Sequence, residues 1–227
     1  MTRQLRAAAW KTDSLTNLRT HSTAFAAYTS DYRGMFPNFA KPVVATGLGE
    51  FMIGGGPVQK AYFLQSEWWN AFLRATYYNG IPSNSKVFYP PDSPIRRLTS
   101  EYPDDVVGYP YACTFVARPE FWNAKTMTGP AQHGPTRVDE VAYPGRKILL
   151  SKRFTDDEMN DPAIRAKLIA DIALVDGAAQ TRALRLVQPG FVAHRVWDPP
   201  RSMTLLHSPD DPAGGHTIDG IRGRDIE

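Results

Sequence analysis

Apolar and small residues recur at spacings of three and four over residues 3–32 and predict a long first helix. No Pro or Gly interrupts this run before Gly34. Such a helix extends about 45 Å, more than the diameter of a small domain. The stronger apolar character begins at Leu15, so we expect the C-terminal half to dock and the Ala-rich, basic N-terminal half to bury less. The predicted stripe consists of Leu5, Ala8, Ala9, Thr12, Leu15, Leu18, Ser22, Phe25, Tyr28 and Tyr32.

A second, shorter helix is predicted within residues 59–80, QKAYFLQSEWWNAFLRATYYNG. Tyr62, Trp69, Phe72 and Leu73 share one side of it. Gly80 is placed to end it, because glycine readily adopts the left-handed conformation that closes many helices.

Later patterns predict short strands. Residues 109–116, YPYACTFV, alternate in character, and residues 147–150 form an apolar strand core. Residues 172–187 predict a β-hairpin, because Asp176-Gly177 is a strong two-residue turn signal between apolar segments. A short helix is expected around DPAIRAKLIA.

Polar and glycine-rich segments are predicted to connect these elements. We expect a loop-rich connection over residues 35–60, with a turn at Gly54-Gly55-Gly56, a polar loop over 118–135 and a C-terminal polar tail with little to bury. The chain then divides into an N-terminal helix, residues 1–34, and a globular head, residues 35–227.

Composition restricts the class of protein. The 227 residues are 42% hydrophobic and 22% charged, which suits a folded chain with one sizeable core. The 19 prolines and 17 glycines favour many turns over a helical bundle. The net charge is only +3 and no Lys/Arg run occurs, so we expect no nucleic-acid partner.

Cys113 is the only cysteine, which excludes an intrachain disulfide and a thiolate metal cluster. We expect it to be a small buried residue in a strand. The chain contains neither an apolar stretch long enough to span a membrane nor a signal-peptide pattern. As written it is expected to be soluble, either cytoplasmic or lacking an N-terminal targeting or membrane segment.

Metal-binding residues have no strong signature, because no close His pair such as HExxH occurs. The C-terminal segment is rich in oxygen ligands, and calcium is the ion that such loops could bind. The alternative is a solvated tail with turn-forming Asp-Pro and Asp-Gly pairs. The weak candidate ligands are Asp210, Asp211 and Asp219.

Catalytic patterns are also missing, since neither GxSxG nor an organised Cys–His arrangement occurs. Two carboxylates brought together by the fold would still permit glycoside hydrolysis. Aromatic residues are the remaining candidates for a ligand or protein contact, namely Trp68, Trp69 and Trp122. Adjacent helical residues cannot both face the core, so one of Trp68 and Trp69 is expected near the surface.

Residues 17–37, NLRTHSTAFAAYTSDYRGMFP, resemble the part of bacterial type II secretion pseudopilin-like proteins that follows the prepilin N-terminal methylation helix. In that family an Asn-Leu-Arg precedes an apolar, Tyr-containing helix, and an Asp-Xaa-Xaa-Gly-Xaa-Phe-Pro exit leads into a globular head. Residues 31–37 match this exit. Further similar segments follow in the family's order, at residues 87–94, 137–153 and 172–182, so the resemblance spans most of the chain.

The chain departs from the family pattern at several points. Ala166 stands where the family has a hallmark histidine, and Tyr89-Pro90 stands where a Cys-Pro is common. The Gly-Phe-Thr-Xaa-Xaa-Glu signal and its hydrophobic helix are not in the sequence. This fits a head region that begins just after the membrane-spanning part, or a relative that never enters a filament.

The resemblance implies a pilin-like α+β fold, with a long N-terminal helix packed on a small antiparallel sheet and long loops. It implies a non-catalytic structural subunit of a type II secretion pseudopilus or related type IV pilin-like filament in the inner membrane and periplasm. Expected partners are other pseudopilin subunits or secretion-system proteins, and the membrane through an N-terminal helix outside this sequence. No cofactor is implied beyond possible calcium. The alternative is a carbohydrate-binding or glycoside-hydrolysing head with an aromatic-lined cleft.

Overall fold

The computed structural model describes residues 2–53, 55–93, 107–154, 158, 161–165, 167–188, 190–191 and 215–227. Over these residues the chain is α+β, as predicted, with a long N-terminal helix. It has two antiparallel three-stranded sheets where one small sheet was expected. Within the described ranges, no helix combines the length and apolar character needed to cross a membrane.

The first helix, α1, covers Arg3–Asp31, which confirms the prediction to within one residue of its end. It begins at Thr2, whose hydroxyl accepts a hydrogen bond from the Leu5 N–H at 3.4 Å. Leu18 and Phe25 are buried on its docked face. The second helix, α2, covers Gln65–Tyr77. A helix was predicted for residues 59–80, and the first part of this prediction is wrong, because Gly56–Ala61 is a strand and Tyr62–Leu64 is a 3₁₀ turn.

The first sheet contains β1 (Ala40–Val43), β2 (Leu48–Ile53) and β3 (Gly56–Ala61) in that order. The loop-rich connection predicted for residues 35–60 is therefore wrong. Pro42 and the glycines hid these strands, since both residue types are depleted in strands. Gly49 is needed for packing, because a Cβ there would lie 2.8 Å from the Ala40 Cβ.

The second sheet contains β4 (Ile148–Ser151), β5 (Ile169–Leu174) and β6 (Ala179–Ala183) in that order. The hairpin between β5 and β6 confirms the prediction, with Gly177 at φ 88° in its turn. A one-turn helix, α3 (Pro162–Arg165), lies before β5. One face of this sheet packs against α1, chiefly along β5.

The opposite face of the second sheet is covered by the C-terminal segment, residues 215–227, and by residues that follow β6. The expectation of a polar tail with little to bury is wrong for these residues. Ile226 is buried with Leu184 and Val187 against this face. Lys147 and Asp225 form a fully buried ion pair at 3.4 Å. Asp225, a polar residue of this segment, therefore binds Lys147 inside the fold.

The strand predicted for residues 109–116 is also wrong. Tyr111 forms only an isolated bridge with Leu150, and Cys113–Phe115 is a 3₁₀ turn. Residues 107–117 are all buried, so their apparent alternation does not reflect an inner and an outer face. Cys113 is buried as expected, and burial raises the pKa of its thiol to about 12. The polar loop predicted after this segment contains two further 3₁₀ turns, Pro119–Trp122 and Pro130–Gln132.

Candidate assembly surface

The face of α1 that points away from the head is exposed along the whole helix. At about 100° per residue, the buried residues Leu18, His21 and Phe25 share one face, and the opposite face bears mainly small side chains. We call this face the outward ribbon, and Arg19 is its only charged residue. Its other members are all exposed: Leu5, Ala8, Ala9, Thr12, Thr16, Thr23, Ala26, Ala27 and Ser30.

The threonines of the outward ribbon are internally satisfied. The hydroxyls of Thr12, Thr16 and Thr23 donate to the carbonyl oxygens of Ala8, Thr12 and Arg19 at 3.1, 2.9 and 3.0 Å. These hydroxyls therefore need no partner from outside the helix. Small side chains with satisfied polar groups allow a second helix to approach closely, as they do at other helix–helix contacts.

The N-terminal part of α1 projects beyond the head. Residues 4–13 are exposed, and the exposed fractions of Leu5 and Trp10 are 58% and 39%. Thus the half of the helix expected to bury less is the half that projects. A free helical segment of this length is marginally stable alone, so its docked continuation supports it.

A groove of about 340 Å³ lies where the projecting part of α1 meets the head. Trp10 and Asp13 line it from the helix, and Lys86, Val87 and Pro91 line it from the facing segment. Asn17 joins the two sides, because its side-chain amide donates to the Lys86 carbonyl at 3.5 Å. The groove thus marks the boundary between the projecting and docked halves.

His21 fixes the docked half of α1 in the core. Its Nδ1 lies 2.7 Å from the Tyr78 hydroxyl, and its Nε2 lies 2.8 Å from the Val87 carbonyl oxygen. A carbonyl only accepts, so Nε2 carries the proton and Nδ1 accepts from the tyrosine. The ring stacks on Phe88 at 5.7 Å and meets the edge of Trp69 at 4.9 Å. Burial lowers the pKa of His21 to about 3, so it stays neutral.

The exit of α1 follows from the sequence Asp-Tyr-Arg-Gly-Met-Phe-Pro. Gly34 has φ 81°, and its N–H donates to the Thr29 carbonyl at 2.7 Å. The Phe36 N–H then donates to the Thr136 carbonyl at 2.9 Å. The Phe36 ring packs 4.4 Å from that of Phe115. This exit therefore ends the helix and anchors the following chain in the core.

The three tryptophans predicted as ligand or protein contacts occupy different places. Trp69 and Trp122 are 0% exposed, which corrects the expectation that they contact a ligand or partner. Their indole N–H groups donate to the carbonyl oxygens of Tyr109 and Ala117. Trp68 is half-buried and packs edge-on against Phe51. As predicted, only one of the adjacent pair lies near the surface.

Of the predicted metal ligands, Asp219 alone lies within the described residues. Asp219 is exposed and accepts a hydrogen bond from the Asn123 amide at 2.7 Å. Asp210 and Asp211 lie outside the described residues. In the described ranges, no group of three or more His, Cys, Asp or Glu side chains is arranged to hold a metal ion.

Sequence reasoning missed His21 as a core residue and did not recognise the outward ribbon. The apolar stripe merged both faces of α1, because Leu5 lies about 140° around the helix from Leu18. Burial of a histidine between aromatic residues was not predictable from spacing alone. Comparison with protein-family models, curated proteins and solved structures found no match.

Proposed function

We propose that the protein is a non-catalytic structural subunit of a type II secretion pseudopilus or a related pilin-like filament in the cell envelope. The outward ribbon is the observation that carries this proposal. It presents mainly small side chains along a helix whose opposite face is fixed in the head from Ser14 onward. The threonine hydroxyls of the ribbon are satisfied within the helix. Neighbouring subunits would pack their helices against it.

Two further observations support an assembly role. Residues 4–13 project beyond the head, and a helix that is exposed all round gains stability from a partner. The head contacts α1 on the face that carries Leu18, His21 and Phe25, so the head leaves the outward ribbon uncovered. The resemblance of residues 17–37 to pseudopilin-like proteins points in the same direction.

The proposal can be tested by photo-cross-linking in cells that express the native gene. A benzoylphenylalanine is placed at Thr23 in the outward ribbon, and in a matched strain at Lys125, an exposed residue of the head. Illumination should yield a ladder of adducts from position 23 that contain this chain or other pilin-like subunits, identified by mass spectrometry. Position 125 should yield few.

Membrane fractionation of the same cells should place the protein in the envelope. Deletion of the gene should reduce the amount of secreted protein in the culture medium, and restoration of the gene should recover it. Absence of adducts from position 23, or equal adducts from both positions, would contradict packing through the outward ribbon. A protein found wholly in the cytoplasm would contradict the envelope assignment.

A further inference from the structure

A second cavity, of about 310 Å³, lies on the opposite side of the second sheet from α1, where the chain leaves β6. Val187 and Ile226 are buried in its apolar floor, and Leu186 is 49% exposed at its side. These two floor residues also pair as an isolated antiparallel bridge, so the floor is a fixed part of the fold. Its volume is that of a site for a small molecule.

Two arginines and one acidic residue line this cavity. Among the described residues, neither Arg182 nor Arg185 forms an ion pair. The side chain of the acidic residue, Glu227, accepts instead from the Gln188 amide at 3.0 Å. The cavity therefore combines two guanidinium groups that are not ion-paired with an apolar floor.

Arg182 is half-buried and lines the cavity. Its Nε is shielded from solvent, and among the described residues it has no hydrogen-bond partner. No partner within these residues therefore holds the guanidinium in place, and it can turn toward an acceptor that enters the cavity. A guanidinium offers parallel N–H donors in a planar fork, which match the two oxygens of a carboxylate.

We propose that this cavity binds a small aliphatic carboxylate. The carboxylate accepts from Arg182 and Arg185, and the aliphatic part lies on Val187 and Ile226. This site is separate from the outward ribbon, so the proposal of a carboxylate site does not depend on the proposed assembly function.

The proposal can be tested by titrating the full chain, followed by ¹H–¹⁵N NMR at constant ionic strength. The probes are sodium hexanoate, sodium acetate and sodium phosphate, with sodium chloride as the balancing salt. Hexanoate should give saturable shifts confined to residues 182–188 and 226–227. It should bind at least about tenfold more tightly than acetate, because each buried methylene contributes about fourfold. Phosphate should bind no more tightly than acetate.

Arg182→Gln should weaken hexanoate binding at least about tenfold, because it removes the positive charge and the paired N–H donors of the guanidinium. Arg19→Gln, a matched change at an exposed arginine of α1, should leave binding unchanged. If Arg182→Gln does not fold, Arg185→Gln should still weaken binding several-fold. Absence of saturable shifts, equal binding of all anions, or retention of affinity in the folded arginine variants would overturn the proposal.

Discussion

Acidification should destabilise the protein through its buried histidines. Burial lowers the pKa values of His21, His133 and His216 to about 3, about 4 and about 3, from 6.5. The unfolded chain takes up these protons as the pH falls below 6.5, whereas the folded state does not. Stability is therefore fully present above that pH and is lost progressively as the pH falls toward the folded values.

The size of the effect follows from these pKa values. At about pH 5, each histidine has lost roughly 2 kcal/mol of its contribution, and the three together have lost roughly 6 kcal/mol. Two buried carboxyl groups act in the opposite direction, because burial raises the pKa values of Glu67 and Asp225. As the pH falls, these carboxyl groups take up protons at a higher pH in the folded state than in the unfolded chain. Their protonation therefore offsets part of the loss in stability.

A single substitution isolates the contribution of His21 to the pH dependence from those of the other titrating groups. His21→Gln cannot titrate, so the difference in free energy of unfolding between about pH 7.5 and about pH 5 should shrink by roughly 2 kcal/mol. Urea unfolding followed by circular dichroism measures this difference. Thr23→Gln, at an exposed position of the same helix, is the matched control and should keep the wild-type pH dependence.

A pH dependence in His21→Gln equal to that of the wild type would refute this reasoning. It would mean that His21 accepts a proton in the folded state as readily as in the unfolded chain.

The remaining predictions concern other buried groups and one turn. Lys147→Met should cost about 3–5 kcal/mol in urea unfolding, because it leaves the buried Asp225 carboxylate without its cation. Adding Asp225→Leu should recover only part of this loss, because the Ile148 N–H then loses its acceptor. Gly34→Ala should cost about 1–2 kcal/mol because φ there is 81°, whereas Gly56→Ala, at ordinary φ in open space, should cost less. Cys113 should resist a thiol reagent at neutral pH until urea unfolds the chain, and rapid labelling of the native protein would contradict its burial.

Parts of the fold with a strong local signal were predictable from the sequence. The uninterrupted spacing of α1 fixed its length, and the Asp176-Gly177 turn fixed the hairpin of the second sheet. The exit at Gly34 was also recognisable, because glycine there adopts the left-handed conformation. In each case neighbouring residues in the chain determine the structure.

Other parts depend on residues far apart in the sequence. Considered alone, Lys147 and Asp225 would each be predicted to lie at the surface. Each is buried because the other supplies the opposite charge. The first sheet was hidden because Gly49 is required by the close approach of Ala40, not by a turn. The outward ribbon could be recognised only after His21 identified the opposite face of α1 as the buried one.

The anchoring of α1 has a mechanical consequence. Residues 3–31 contain neither glycine nor proline, so the helix has no hinge between its projecting and docked halves. The docked half is held within the aromatic core at His21 and Phe25. A twist or pull on the projecting half is therefore transmitted directly to the head. The helix and the head must rotate together as one rigid body. In a stack of such helices, the pitch of the stack would set the angle at which every head is displayed.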